Sequence, residues 1–167
     1  MPTPPAFAAA LLPGWGFVQP WVLESAAQFR PDEGPDLTSD RYARDLNEVK
    51  EIGALNSATR TAEQTNIARF WLASAAVIWN GVLRQVALGL GLDESEAARD
   101  FALMNVAGAD ARDRVLGRKY AFNFWRPVTA IQRADEDGNP ATEADPGWTP
   151  LIATPNFPGA SVRALDS

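Results

Sequence analysis

The chain has 167 residues, of which 46% are hydrophobic, and it contains 6 Trp and 8 Phe, enough apolar material for one packed domain. Its 15 basic and 21 acidic residues give a net charge of −6. This charge argues against nucleic acid as a main partner, because binding to the phosphate backbone needs a basic surface. No cysteine and no histidine are present, which excludes disulfides, thiolate chemistry and Ser–His–Asp catalysis by this chain alone.

Residues 1–37 carry many of the prolines and are predicted to form an extended N-terminal arm. We expect the arm to lie over a helical body, with Trp15, Phe17 and Trp21 as apolar anchors; a loosely packed arm fits the composition equally well. Its start lacks a basic region, and its apolar run is too short for a membrane span or a convincing signal peptide. We therefore expect a soluble protein, of unassigned localisation.

Residues 38–134 show helical periodicity. A first helix is predicted after Ser39 or Asp40, either of which can cap its start. The capping-box pair Thr61 and Gln64 then predicts a long buried helix that ends near Gly91.

Two further helix starts are predicted downstream. Asp93 with Glu96 has the pattern of a helix N-terminus, and Pro127 suits the first position of a short helix that runs through Ala134. Other carboxylate pairs, such as Asp110 and Asp113, are interpreted as surface charges.

Residues 135–167 are rich in turn residues and are predicted to be an irregular tail. Asp135, Asp137 and Asn139 resemble a calcium loop, but an EF-hand needs glycine at position six and glutamate at position twelve. Here glycine falls fourth and Pro146 twelfth, so a hydrogen-bonded turn is favoured. No strand alternation appears, and the predicted fold class is all-α: an incomplete helical bundle with a Pro-rich arm and an irregular tail.

Lys119 and Arg126 are the candidate site residues, and they lie in an aromatic run just before Pro127. A lysine point charge and the planar donor fork of an arginine suit a tetrahedral oxyanion such as phosphate or vanadate. Because the residue before proline avoids helical dihedrals, the helix should break near Arg126 and turn that side chain inward. The charge pattern by itself favours two solvated cations.

Several longer runs resemble the bacterial vanadium-dependent haloperoxidases, within the superfamily that includes the type 2 phosphatidic acid phosphatases. They are Phe122-Asn123-Phe124-Trp125-Arg126-Pro127-Val128-Thr129-Ala130-Ile131, Asp137-Gly138-Asn139-Pro140-Ala141-Thr142, Gly147-Trp148-Thr149-Pro150-Leu151 and, upstream, Asp45-Leu46-Asn47-Glu48-Val49-Lys50, Thr59-Arg60-Thr61-Ala62 and Ile67-Ala68-Arg69-Phe70-Trp71. The resemblance extends from about Trp15 to Pro158.

The resemblance implies an all-α bundle that binds vanadate, or phosphate in the phosphatases. Lys119 and Arg126 match its first motif, which neutralises oxygens of the anion. Family chemistry is oxidation of halide by hydrogen peroxide at bound vanadate. Relatives have Trp and an acidic residue before the lysine, where this chain has Leu116-Gly117-Arg118.

Two later family motifs, which carry the acid/base histidine and the histidine that ligates vanadium, are absent from this sequence. Back-translated with permissible third bases and read from the second base of codon 158, the tail can encode Pro-Glu-His-Pro-Ser-Gly-His-Ser-Thr, which contains the first missing motif. We interpret the tail after 158 as out of frame. The chain is then a truncated haloperoxidase-like protein, expected to show negligible turnover and not to retain vanadate.

Two alternatives remain open. One is a phosphomonoester hydrolase fragment of the same superfamily, with a histidine nucleophile that is equally missing. The other is a non-enzymatic remnant or interaction module, which would expose apolar helix faces and self-associate, most readily around Phe70 and Trp71.

Overall fold

A computed structural model of the chain describes residues 14–30, 36–122 and 124–155, without the side chains at positions 15, 119 and 120. Five α-helices follow one another along these ranges: α1 Asp40–Ile52, α2 Ala62–Phe70, α3 Ala75–Leu90, α4 Glu94–Phe122 and α5 Pro127–Gln132. Short 3₁₀ helices span Trp15–Phe17 and Ala134–Glu136. The described ranges contain no β-strand, only an isolated bridge between Ala54 and Pro150, and the all-α prediction is confirmed.

Most helices begin or end where the sequence places a cap. The Ser39 hydroxyl accepts a hydrogen bond from the Tyr42 backbone N–H at the start of α1. Thr61 and Gln64 form the predicted capping box at the start of α2. Gly91 ends α3 with a φ of 65°, a left-handed conformation that glycine adopts without steric cost.

The predicted long buried helix after Thr61 is wrong in two respects. The chain leaves the helix at Trp71 and restarts at Ala75, so two helices replace one. Neither helix contains a buried residue. The sequence signal for the break is weak, because Ser74 is an N-cap residue type whose side chain makes no capping hydrogen bond.

Among the described residues, no single helix is long and apolar enough to cross a membrane; α2 and α3 meet that test only as a pair, and the pair is bent by 96°.

The core lies between α1, α5 and the segment that follows α5. Ile131 is fully buried there, together with Tyr42, Leu46 and Trp148. The rings of Tyr42 and Phe124 meet edge to face with centroids 6.2 Å apart. Helix α5 is thus fixed to α1 by buried side chains.

The irregular segment after α5 is tied to α1 by hydrogen bonds. Asp137 accepts from the Asn139 backbone N–H at 2.7 Å, which confirms the predicted hydrogen-bonded turn. The Asn139 side-chain amide donates to the carbonyls of Leu37 and Ser39, immediately before α1. The boundaries proposed between arm, bundle and tail stay predictions. The tail beyond residue 155, where a frame change after 158 is predicted, lies outside the described residues.

The described part of the arm packs against α4, but its predicted anchors are wrong. Phe17 is 92% exposed and Trp21 is 76% exposed, while the Trp15 side chain is outside the description. Contact is made instead through backbone and polar groups. Arg114 of α4, for example, donates to the Phe29 carbonyl and lies over the Phe29 ring, 5.5 Å from its centroid.

Candidate anion site at the junction of α4 and α5

The predicted helix break before Pro127 is confirmed. Helix α4 ends at Phe122, and Arg126 has an extended backbone with φ −71° and ψ 154°. Pro127 takes the first turn of α5, where its missing N–H costs no hydrogen bond. Lys119 and Arg126 therefore do not share one helix, because α4 ends between them.

Helix α5 holds Arg126 against the core. Thr129, Ala130 and Ile131 are all buried, and the Ala130 backbone N–H donates to the Arg126 carbonyl at 2.9 Å. The Arg126 side chain itself is half-buried. Its backbone is therefore fixed by packing on one side and by a hydrogen bond on the other.

The neighbouring Trp125 is also held in place. The Arg133 guanidinium lies over its ring, 5.4 Å from the centroid. Glu136 pairs with Arg133, and this contact lowers the pKa of Glu136 and raises that of Arg133. Arg133 thus links Trp125 to the first turn after α5.

Lys119 belongs to the last turn of α4, and its side chain lies outside what the structure describes. Two residues earlier, Gly117 meets Gly16 of the arm so closely that a Cβ added at Gly16 would lie 2.8 Å from the Gly117 Cα atom. The position of the Lys119 backbone is therefore set by α4 and by the arm that packs against it.

Asp110 and Asp113 are buried at 4% exposure each, so their interpretation as surface charges is wrong. Asp110 accepts hydrogen bonds from the backbone N–H groups of Trp21, Val22 and Leu23, at 2.7, 2.8 and 3.0 Å. Burial raises the pKa of Asp110, but the three donors outweigh it and the net shift is downward.

Asp113 lies one turn after Asp110 on the face that the arm covers, and its Oδ1 has no hydrogen-bond partner among the described residues. The sequence offered no signal for either burial. The donors to Asp110 are nearly 90 positions away, so local charge spacing could not reveal them.

The acidic pair Asp93 and Glu96 is, as predicted, a helix terminus, where each side chain accepts from the backbone of the other.

The donor chemistry of the junction fits an oxyanion and not a metal cation. Arginine offers up to five N–H donors and keeps its positive charge at any relevant pH. Within the described ranges, no group of three or more Asp or Glu side chains could hold a metal ion. The chain has no histidine to ligate vanadium. Two cationic side chains therefore suit the oxygens of vanadate or phosphate. Neither of them can replace the histidine that would ligate vanadium.

Comparison with known proteins finds relatives that share this junction. Residues 99–161 match the family described as the VCPO second helical-bundle domain, a range that contains most of α4, the Lys119–Arg126 segment and α5. The vanadium chloroperoxidase of Curvularia inaequalis is 31% identical in an alignment that covers 60% of this chain and 18% of that protein. A crystal structure of a bacterial vanadium-dependent iodoperoxidase superposes with a TM-score of 0.74 at 29% identity.

The chain is similar to vanadium haloperoxidases in sequence and in fold. The structural match covers 94% of this chain but only 39% of the iodoperoxidase chain. This chain therefore spans well under half the length of either haloperoxidase relative. The roles of Lys119 and Arg126 as anion ligands stay a prediction, since the comparisons identify the segment and not its bound group.

Proposed function

We propose that this chain provides the cationic part of a haloperoxidase-type anion site, with Lys119 and Arg126 as ligands for the oxygens of vanadate or phosphate. The other groups of such a site would come from the portion of the family fold that this chain does not span. Halide and hydrogen peroxide are the co-substrates that the names of the relatives suggest.

The observation that carries the proposal is the backbone of Arg126. It follows the end of a 29-residue helix, is extended, and begins a helix whose buried residues are fixed to the core. A side chain that extends from a backbone fixed in this way has less freedom to lose when it binds an anion than one on a mobile loop. Preorganised charge of this kind stabilises negative charge that develops during a reaction.

Vanadate held at such a site by Lys119 and Arg126 would supply Lewis-acid chemistry toward peroxide. The contribution of this chain is electrostatic: the fork of Arg126 donates to anion oxygens, and Lys119 adds a compact charge. Half-burial of Arg126 reduces competition from water and makes each contact stronger than on an open surface.

The chain alone should turn over negligibly. It has no histidine to act as general acid or base or to ligate vanadium. The phosphatase alternative needs a histidine nucleophile and meets the same obstacle, and no described contact favours it over peroxidase chemistry. A non-enzymatic role is the remaining alternative.

Equilibrium dialysis with labelled phosphate tests the anion site. We expect weak, saturable binding that Arg126→Gln reduces at least about tenfold, the loss of one charge-assisted hydrogen bond. Arg84→Gln is the matched control, because Arg84 is an exposed arginine in α3. Binding that both variants leave unchanged would contradict the proposal. Peroxide-dependent halide oxidation by the chain alone would contradict the view that its site is partial.

A further inference from the structure

The Asp110 carboxylate binds the backbone of the N-terminal arm. Its Oδ1 accepts from the Trp21 N–H at 2.7 Å, and its Oδ2 accepts from the Val22 and Leu23 N–H groups at 2.8 and 3.0 Å. Successive backbone N–H groups can form a concave site that binds anions, and here a side chain of α4 fills it. A carboxylate that is engaged by three donors and only 4% exposed is poorly suited to proton transfer or to cation binding.

The arm also meets α4 near both ends of the stretch 14–30. Close to its start, a Cβ added at Gly16 would lie 2.8 Å from the Gly117 Cα atom. At its end, a Cβ added at Gly117 would lie 3.1 Å from a guanidinium nitrogen of Arg30. Asp110 and Gly117 are about two turns apart and share one side of the helix. The arm is thus held at two levels of α4, by a carboxylate at one and by close packing at the other.

Gly117 is a weak point in α4. Glycine inside a helix is destabilising because it loses more backbone freedom on folding than any other residue, and α4 ends only five residues later, at Phe122. Helix ends fray unless other contacts hold them. The arm supplies such contacts, since Gly16 and Arg30 both pack on Gly117. Packing by the arm therefore stabilises the turn of α4 that carries Lys119.

The arm supports this turn from the side away from Lys119. The Lys119 backbone follows Gly117 by two residues, which places it about 200° further around the helix. The face of α4 that the arm covers is therefore nearly opposite to position 119. An element in that place can fix the helix turn and still leave the anion free to approach.

We propose that Asp110 is a positioning residue for Lys119. Its carboxylate fixes the arm against α4, and the arm holds the last turns of the helix in the geometry that binds an oxyanion. The inference rests on the proposed anion role of Lys119 and extends it to a residue that touches no anion. The two possible effects of Asp110 on phosphate binding have opposite signs. Removing its negative charge should by itself strengthen binding, whereas loss of positioning should weaken it.

Equilibrium dialysis of the complete 167-residue chain with labelled phosphate at neutral pH tests the inference. We expect Asp110→Asn to weaken binding at least about threefold, a typical size for coupling within one network. Asp113→Asn is the matched control, because Asp113 is also 4% exposed but its Oδ1 accepts no hydrogen bond from the described residues. This control should bind phosphate at least as tightly as the unmodified chain. Unchanged or tighter binding by Asp110→Asn, or equal weakening by both variants, would overturn the proposal.

A double-mutant cycle separates positioning of Lys119 from a general loss of stability. Asp110→Asn should still weaken phosphate binding when Arg126→Gln is present. When Lys119→Gln is present, it should change the affinity less than about 1.5-fold, since no lysine remains to be placed. Equal weakening in the two backgrounds would refute a role through Lys119. If Lys119→Gln alone binds like the unmodified chain, the anion site itself is wrong; if it binds weakly while Asp110→Asn does not, only the positioning role is wrong.

Gly16→Ala covers the possibility that Asp110→Asn fails to fold, which circular dichroism would show. This variant keeps the charge of Asp110 and forces the arm away from Gly117. It should weaken phosphate binding in the same way, and only when Lys119 is present. Gly14→Ala is its control, because nothing lies within 4 Å of the added Cβ. Equal phosphate binding by the two glycine variants would refute the proposal.

Discussion

The Trp148 indole Nε1 donates a 2.8 Å hydrogen bond to the backbone carbonyl of Lys50. Lys50 lies in the last turn of α1, where carbonyls have no partner within the helix. The same indole is only 6% exposed and packs in the core with Tyr42, Leu46 and Ile131. This one side chain therefore caps α1 and, by packing against Ile131, also joins the segment after α5 to α5, the helix that begins after Arg126.

Trp148→Phe should lower the free energy of unfolding by about 1–3 kcal/mol, because it leaves a partly buried carbonyl without its donor. Urea denaturation followed by circular dichroism measures the change. Trp79→Phe is the control, since Trp79 is 51% exposed, and we expect it to alter stability by less than about 0.5 kcal/mol. Similar losses in the two variants would show that the hydrogen bond to Lys50 contributes nothing.

Gly16→Ala should loosen the arm from α4. The added Cβ would sit 2.8 Å from the Gly117 Cα atom, so one backbone must move, at a cost of about 1–3 kcal/mol. Amide hydrogen exchange at Trp21, Val22 and Leu23, whose N–H groups bind Asp110, reports the loosening. Gly14→Ala, with nothing within 4 Å of its added Cβ, should leave the exchange rates unchanged. Faster exchange in Gly14→Ala, or unchanged exchange rates in Gly16→Ala, would count against this packing.

Alkaline pH should destabilise the core through Tyr42. Burial, together with the negative charge of Asp137, raises the pKa of Tyr42 to about 12, compared with about 10 in an unfolded chain. The unfolded state therefore ionises first, so this contribution to stability is complete below about pH 10 and is lost as the pH rises towards 12.

Tyr42→Phe should remove that loss and flatten the stability profile between about pH 10 and pH 12. Absorbance titration at alkaline pH should likewise lose its late phenolate step in the variant. Parallel stability profiles for the two proteins would mean that folding does not raise the pKa of Tyr42.

Local signals in the sequence predicted the helix boundaries that depend on caps. Ser39, Thr61, Gly91 and Pro127 each act within three or four residues, so their effect can be read from neighbouring positions. The break before Arg126 was predictable for the same reason, because proline restricts the residue before it.

Contacts between residues far apart in the sequence were harder to predict from the sequence. The burial of Asp110 depends on backbone donors in the arm, nearly 90 positions away. Phe17 and Trp21 were expected to anchor that arm, but polar and glycine contacts hold it. The apolar composition of α3 predicted burial, whereas several of its apolar side chains, Val77 and Leu88 among them, are exposed in the described part of the chain.

The most direct test of the anion site is titration of the chain with orthovanadate, followed by ⁵¹V NMR, for the unmodified protein and for Lys119→Gln, Arg126→Gln and Arg84→Gln. Two cations without an imidazole ligand should give weak saturable binding that each of the first two changes weakens at least about tenfold, while the α3 control binds like the unmodified chain. If Lys119→Gln and Arg126→Gln bind vanadate as well as the control does, the junction of α4 and α5 is not the anion site.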